Sequence, residues 1–225
     1  MAESPAGFEL AKQMANIVRI LDPSGRAVTQ AVPLPTPAED RIFASLDVGG
    51  YNYGGIIHPR YEKDHQRMPN RIIVGTESDP MNSYALWELY TTLPYVLGDF
   101  IWTAIDYVGE SAIGSASTTL NILEMLSDST GTQQPWQWHV SWCGDIGIVG
   151  FRKPQAFSRN VLWDVEPITM MVHSPIPKGQ KEIVTGWGWP DERDSWNWQG
   201  HEGTPLQVRV FSKCGGLSPP PATET

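Results

Sequence analysis

Arg71-Ile72-Ile73-Val74-Gly75-Thr76-Glu77-Ser78 is the stretch on which the fold turns. An unbroken apolar run of this length, rich in β-branched side chains, reads as a strand buried on both faces; a strand with one wet face would alternate. The run stops on polar residues, and the acid Glu77 follows directly on the buried part. Downstream, Ser83–Leu93 has helical spacing, and Tyr95–Tyr107 reads as another buried strand.

Upstream the same alternation holds. Ser4-Pro5 is a helix start, Ser as cap and Pro at the first helical position. Phe8, Ala11, Ala15 and Val18 then recur at helical spacing, with Leu10, Met14, Ile17 and Leu21 widening the apolar stripe, until Asp22-Pro23-Ser24-Gly25 ends it. Residues 27–32 read as a strand, Ile42–Tyr53 as a second, and Tyr61–Arg67 as a short helix. Residues 110–135 are small and polar, a long loop, and a helix is expected over 156–163. Helices alternating with apolar strands predict an α/β fold with a parallel sheet wrapped in helices. Beyond Trp163 the texture changes: 168–173, 181–189 and 206–212 read as short antiparallel strands between Pro/Gly turns. A boundary is placed near residue 165, and the last nine residues are low-complexity and expected to be disordered.

Composition excludes several functions. With 16 Lys+Arg against 25 Asp+Glu the formal net charge is −9, and no basic cluster exceeds a pair, so no nucleic-acid partner is expected. No apolar run reaches membrane-spanning length, and no signal peptide precedes the first helix; the compartment stays open. Five histidines show no metal spacing, there is no phosphate-binding Gly-rich loop, and Cys143 and Cys214 read as free thiols. Neither metal nor cofactor is expected. Gly and Pro number 21 and 19, too many for a helix bundle.

In parallel α/β folds active sites lie beyond the carboxyl ends of the strands. Three strand ends carry chemistry here: Tyr51-Asn52-Tyr53, Thr76-Glu77-Ser78, and Trp102 with Asp106. Glu77 is the sharpest candidate, although an acid at a strand end also serves as a structural hydrogen-bonder. Trp102 offers either an aromatic face to a ligand or core packing.

Gly50-Tyr-Asn-Tyr53, Tyr61-Glu-Lys-Asp-His65, Pro69-Asn-Arg-Ile-Ile-Val-Gly-Thr-Glu-Ser78 and residues 94–110 resemble glycoside hydrolase family 2, in its β-galactosidase-like branch. Residues 143–154 and Gly186-Trp-Gly-Trp-Pro-Asp-Glu-Arg193 resemble it too, so the likeness spans roughly residues 4–214. The resemblance implies the second half of a (β/α)8 TIM barrel over 1–165, strands five to eight, and the start of an immunoglobulin-like β-sandwich over 166–216, with a tail over 217–225. It implies Glu77 as the nucleophile, Tyr53 (alternatively Tyr51) as the tyrosine that orients it, and Trp102 as a wall of the sugar site. Asn52, Asp106 and Glu110 are the weaker ligand contacts it suggests. The family's acid/base Glu lies in a Gly-Asn-Glu motif ahead of the helix that begins at Ser4. No Gly-Asn precedes Glu3, so the acid/base is expected to be missing.

The function implied is a fragment of a retaining β-glycosidase, a β-galactosidase above all, acting on a β-linked oligosaccharide or galactoside. Its expected partner is the missing N-terminal half of the parent enzyme, and both chain ends are expected to be breaks in a longer gene. Poor stability or self-association is expected from open sheet edges. Two alternatives remain: a non-catalytic carbohydrate-binding protein using Trp102, Trp136, Trp138, Trp187 and Trp189 as stacking platforms, or a non-functional gene remnant. For Trp187, Trp189, Trp196 and Trp198, loop packing is the preferred reading over sugar contact.

Overall fold

A computed structural model describes residues 4–56, 60–119 and 139–213. The expectations for Glu3, Trp136, Trp138, Cys214 and the tail lie outside them.

Helix α1 (Pro5–Leu21) starts as its sequence predicts, with Ser4 Oγ accepting from Gly7 N at 3.1 Å. Only Ala11 and Ala15 are buried. Leu10, Met14, Ile17, Val18, Ile20 and Leu21 are 47–80% exposed. The stripe is therefore real, but most of it, Val18 included, faces away from the body.

The sheet is parallel, in the order β1 (Ala31–Pro33), β2 (Gly49–Asn52), β3 (Ile73–Ser78), β4 (Val96–Ile101). Helix α3 (Arg60–Arg67) links β2 to β3, and α4 (Ser83–Thr92) links β3 to β4. The strand expected over Ile42–Tyr53 is shorter than predicted. A capping box at Thr36 and Glu39 starts a 3-10 turn that runs into α2 (Asp40–Phe43), and Ile42 and Phe43 are buried there as helix. A short apolar run does not by itself distinguish a buried helix turn from a strand. Gly50 permits the close approach of β1, because a Cβ would stand 2.2 Å from Gln30 O.

One face of the sheet packs on the helices. Val32, Tyr51, Ile73 and Val96 join Ala11, Ile42, Phe43 and Tyr61 in the core, with the Tyr51 ring stacked on Phe43 at 5.2 Å. Tyr51 is fully buried there, its hydroxyl donating to Asp64 at 2.8 Å and accepting from Arg71 at 3.1 Å. That removes Tyr51 from the site. Strand β4 is not buried on both faces, since Leu97 and Phe100 are each 64% exposed. Among the described residues β4 pairs only with β3 and β1 only with β2, so neither outer strand has a second neighbour in this sheet.

The remaining strands are antiparallel. β5 (Ala116–Thr119), within the expected loop, pairs with β7 (Lys181–Val184). β6 (Ile168–His173) lies between β8 (Glu192–Arg193) and β9 (Val208–Ser212). The change of texture near residue 165 is thus a change from parallel to antiparallel pairing, and the β5–β7 ladder bridges it. Helix α5 (Pro154–Leu162) precedes the change. No helix among the described residues is long and apolar enough to cross a membrane.

Candidate active site

The site lies where β2, β3 and β4 end. Tyr51 of β2 pairs with Gly75 of β3, but Asn52 pairs with Glu77, so β3 contributes an extra residue between the two pairs. This irregularity changes which residues share a face. Tyr53 N donates to Glu77 O at 2.7 Å, and Tyr53 then leaves the strand at φ +55°, in the left-handed region. Tyr51 thus faces the core while Tyr53 goes to Glu77.

Tyr53 is held from two sides. Burial pushes its pKa well above the ordinary phenol value; the indole N–H of Trp187 acts against this, and the neighbouring Glu77 carboxylate reinforces it. Trp187 Nε1 donates to the phenol oxygen at 2.8 Å, and the two rings meet edge to face at 5.9 Å. Tyr53 consequently stays protonated at neutral pH and presents its hydrogen to Glu77. Both Glu77 and Tyr53 are half-buried, so the pair remains reachable from solvent.

Trp102 follows β4 directly. Its backbone N donates to Ser78 O at 2.8 Å, which seats it level with the end of β3; the Trp102–Thr103 peptide is cis. Its Nε1 donates to Tyr107 Oη at 3.3 Å, with the rings edge to face at 6.0 Å. Tyr107 in turn donates to the Glu110 carboxylate, and burial followed by that bond raises the phenol's pKa. Glu110 therefore supports Trp102 through Tyr107.

Two expected ligand contacts are engaged elsewhere. The Asn52 side chain is buried, and its Oδ1 accepts from Thr76 Oγ1 at 2.7 Å. Asp106 is 1% exposed, and its carboxylate is bound by Lys153 Nζ at 2.8 and 2.9 Å and by Gly144 N at 2.8 Å. That ion pair fastens the loop after β4 to the start of α5 and leaves Asp106 unavailable to a ligand. Near it, burial lifts Asp145 to about 6 despite the Arg159 guanidinium at 2.9 Å.

Sequence reasoning missed Tyr107, and it read Trp187 as loop packing or a stacking platform, without its bond to Tyr53. For Trp187 a signal existed in the glycines on either side of it, since a Cβ on Gly188 would stand 2.8 Å from Thr185 O. Cys143 is a buried free thiol. Among the described residues no group of three or more His, Cys, Asp or Glu could hold a metal ion.

No family model matches the chain, and no curated protein does. Solved structures do. A glycosyl hydrolase family 2 member from Bacteroides cellulosilyticus is 33% identical over 94% of this chain, with a TM-score of 0.76, and the match covers 26% of that protein. A family 2 member from Bacteroides cellulosilyticus DSM 14838 is 32% identical over 94% of the chain and 24% of its own, with a TM-score of 0.68. A β-glycosidase from Bacteroides vulgatus, 17% identical over 94% of the chain and 28% of its own, shares the fold at a TM-score of 0.55. The chain spans about a quarter of the length of these relatives. At 32–33% identity over 94% of its length, the chain is homologous to members of glycosyl hydrolase family 2.

Proposed function

We propose that this chain carries the nucleophile side of a retaining β-glycosidase site, with a β-galactoside as substrate, on the last four strands of a (β/α)8 barrel. In this reading residues 1–165 are the second half of the barrel, 166–216 open an immunoglobulin-like sandwich, and 217–225 are a tail. Glu77 attacks the anomeric carbon as the bond to the leaving oxygen breaks, and the bonding pair departs with that oxygen. Tyr53 holds the attacking carboxylate, and Trp102 forms a wall for the sugar. Protonation of the leaving oxygen needs a second carboxyl about 5–5.5 Å from the first. We assign that acid to sequence outside these 225 residues, because the Gly-Asn-Glu that the family supplies is absent here. Asp79, two residues from Glu77, has both carboxylate oxygens bound to the Asn82 amide at 3.0 and 2.9 Å.

The observation that carries this reading is the pairing of Glu77 with Tyr53 across the ends of adjacent parallel strands. The experiment uses a leaving group that needs no acid. 2,4-Dinitrophenyl 2-deoxy-2-fluoro-β-galactoside expels dinitrophenolate with its electron pair and leaves a glycosyl ester on the nucleophile. We expect one adduct, on the peptide containing Glu77, with none in Glu77→Gln. Hydrolysis of p-nitrophenyl-β-galactoside should be no faster than by Glu77→Gln. An adduct on another carboxylate would overturn the assignment of Glu77; Glu77-dependent turnover would overturn the absence of the acid. Galactose binding with neither adduct nor turnover would favour a carbohydrate-binding protein instead.

A further inference from the structure

We propose that Trp187 is a positioning residue of this site: its indole N–H fixes the hydroxyl of Tyr53, and through it the carboxylate of Glu77. The inference rests on the reading of Glu77 as the nucleophile and adds a residue from the antiparallel segment to the site.

The chemistry sets the direction of the chain. An indole N–H can only donate, so the phenol oxygen at 2.8 Å must accept, and the phenol's single hydrogen is left for Glu77. Without the indole, the Tyr53 hydroxyl would be free to rotate toward other acceptors. With it, the order Trp187 to Tyr53 to Glu77 is the one that satisfies all three groups.

The fold delivers Trp187 deliberately. It lies 134 residues from Tyr53, on the bend that follows β7. That bend is secured to the other half of the chain by the β5–β7 ladder, and by Thr185, whose N and Oγ1 each donate to Ser115 O at 3.0 Å. Gly188 N closes the turn onto Thr185 O at 3.0 Å. Trp187 adopts φ +62° and Tyr53 φ +55°, both in a region that bulky side chains seldom occupy. Two such residues meeting through a hydrogen bond mark a place where the surroundings override local preference. Trp189, two residues on, goes the other way: it is buried, and its Nε1 donates to Glu192 at 2.9 Å. The Gly186–Trp189 segment thus sends one indole to the site and the other into the antiparallel sheet.

The test compares Trp187→Phe, Tyr53→Phe and their combination in the inactivation by the dinitrophenyl fluoroglycoside. Trp187→Phe keeps a ring but removes the donor. We expect the first-order rate constant of inactivation to fall about tenfold, the scale of one lost hydrogen bond, with half-saturation changed less than twofold. The double variant should be no slower than Tyr53→Phe alone, because Trp187 acts through Tyr53. Trp189→Phe should leave the rate unchanged. Multiplying effects in the double variant, or weaker saturation at an unchanged rate, would overturn the proposal. A second readout needs no reaction. In the 15N-labelled protein the indole N–H resonance of Trp187, identified by its loss in Trp187→Phe, should move in Tyr53→Phe and Glu77→Gln while that of Trp189 stays. No movement in Tyr53→Phe means the bond is absent and the proposal fails. Movement without any adduct at Glu77 means instead that the nucleophile assignment fails and the positioning chain stands.

Discussion

Asp106 and Lys153 show how much of a residue's role depends on what lies far along the chain. The two are 47 residues apart, 1% and 3% exposed, and joined at 2.8 Å. Burial pulls the Lys153 ammonium below its ordinary range, with Asp106 opposing the shift. Removing one partner of such a pair leaves a buried charge alone, so Lys153→Met is expected to lose roughly 3–5 kcal/mol in urea unfolding. Asp106→Asn combined with Lys153→Met should lose less, because the amide is uncharged and its oxygen still accepts from Gly144 N. If the single and double variants unfold alike, the ion pair is not what ties the loop to α5. The sequence placed Asp106 in a well-matched segment and could not see Lys153 beside it. Tyr51 and Tyr53 make the same point at shorter range. Strict two-residue alternation would put both on one face, and they separate because β2 ends at Asn52 and Tyr53 turns off at φ +55°. Glu77, near the end of β3, and Trp102, directly after β4, by contrast hold positions at the sheet end that were legible from the strand pattern.

At the scale of elements, pairing between distant segments was the hidden part. β5 has a small, polar sequence and becomes a strand only because β7 lies beside it; β8 has two residues and no pattern to read. α2 was hidden differently, since its capping box is visible in Thr36-Pro-Ala-Glu39 but its short apolar run is equally compatible with a strand. Glu182 of β7 links the two antiparallel sheets. His173, at the end of β6, meets Glu182 of β7 through Nε2 at 3.0 Å, and its Nδ1 lies 2.6 Å from Ser174 O. Burial lowers the imidazole's pKa, but the bonds to Glu182 and Ser174 and the charges of Glu182 and Glu192 outweigh it, so the net shift is upward. A His pKa raised on folding stabilises fully below the unfolded value of about 6.5 and loses that contribution as pH rises through the folded value. Glu182→Gln keeps an acceptor for Asp191 N and removes the charge. We therefore predict that the wild-type chain loses stability between pH 6 and pH 8 relative to Glu182→Gln, measured as the difference in urea midpoints. A difference that stays constant across that range, or reverses, would show that the pair does not link the sheets electrostatically.

The whole molecule presents apolar surface that its own described residues leave uncovered. On α1, six large side chains are 47–80% exposed, and on β4 Leu97 and Phe100 are each 64% exposed. These surfaces belong to the helix that leads into β1 and to β4, the two outer strands of the parallel sheet, each with a single sheet neighbour among the described residues. Exposed apolar stripes and strands with free backbone groups are surfaces on which other chains dock. Burying one Leu or Ile side chain contributes about 1.5–3 kcal/mol, so a few of them suffice to drive association at micromolar concentration. The α1 stripe should be the larger contributor, because its residues lie on one continuous helix and need no backbone rearrangement to be covered. The purified chain is therefore expected to sediment above its monomer mass of 25.0 kDa, increasingly so with concentration. Ile17→Lys with Leu21→Glu places two charges on the stripe, away from the strand ends that carry Glu77, and should shift sedimentation toward monomer without altering the fluoroglycoside adduct. Leu97→Lys should have the smaller effect. A chain that stays monomeric at every concentration, or an association indifferent to charges on α1, would remove the helix face as its cause and leave the strand edges as the alternative.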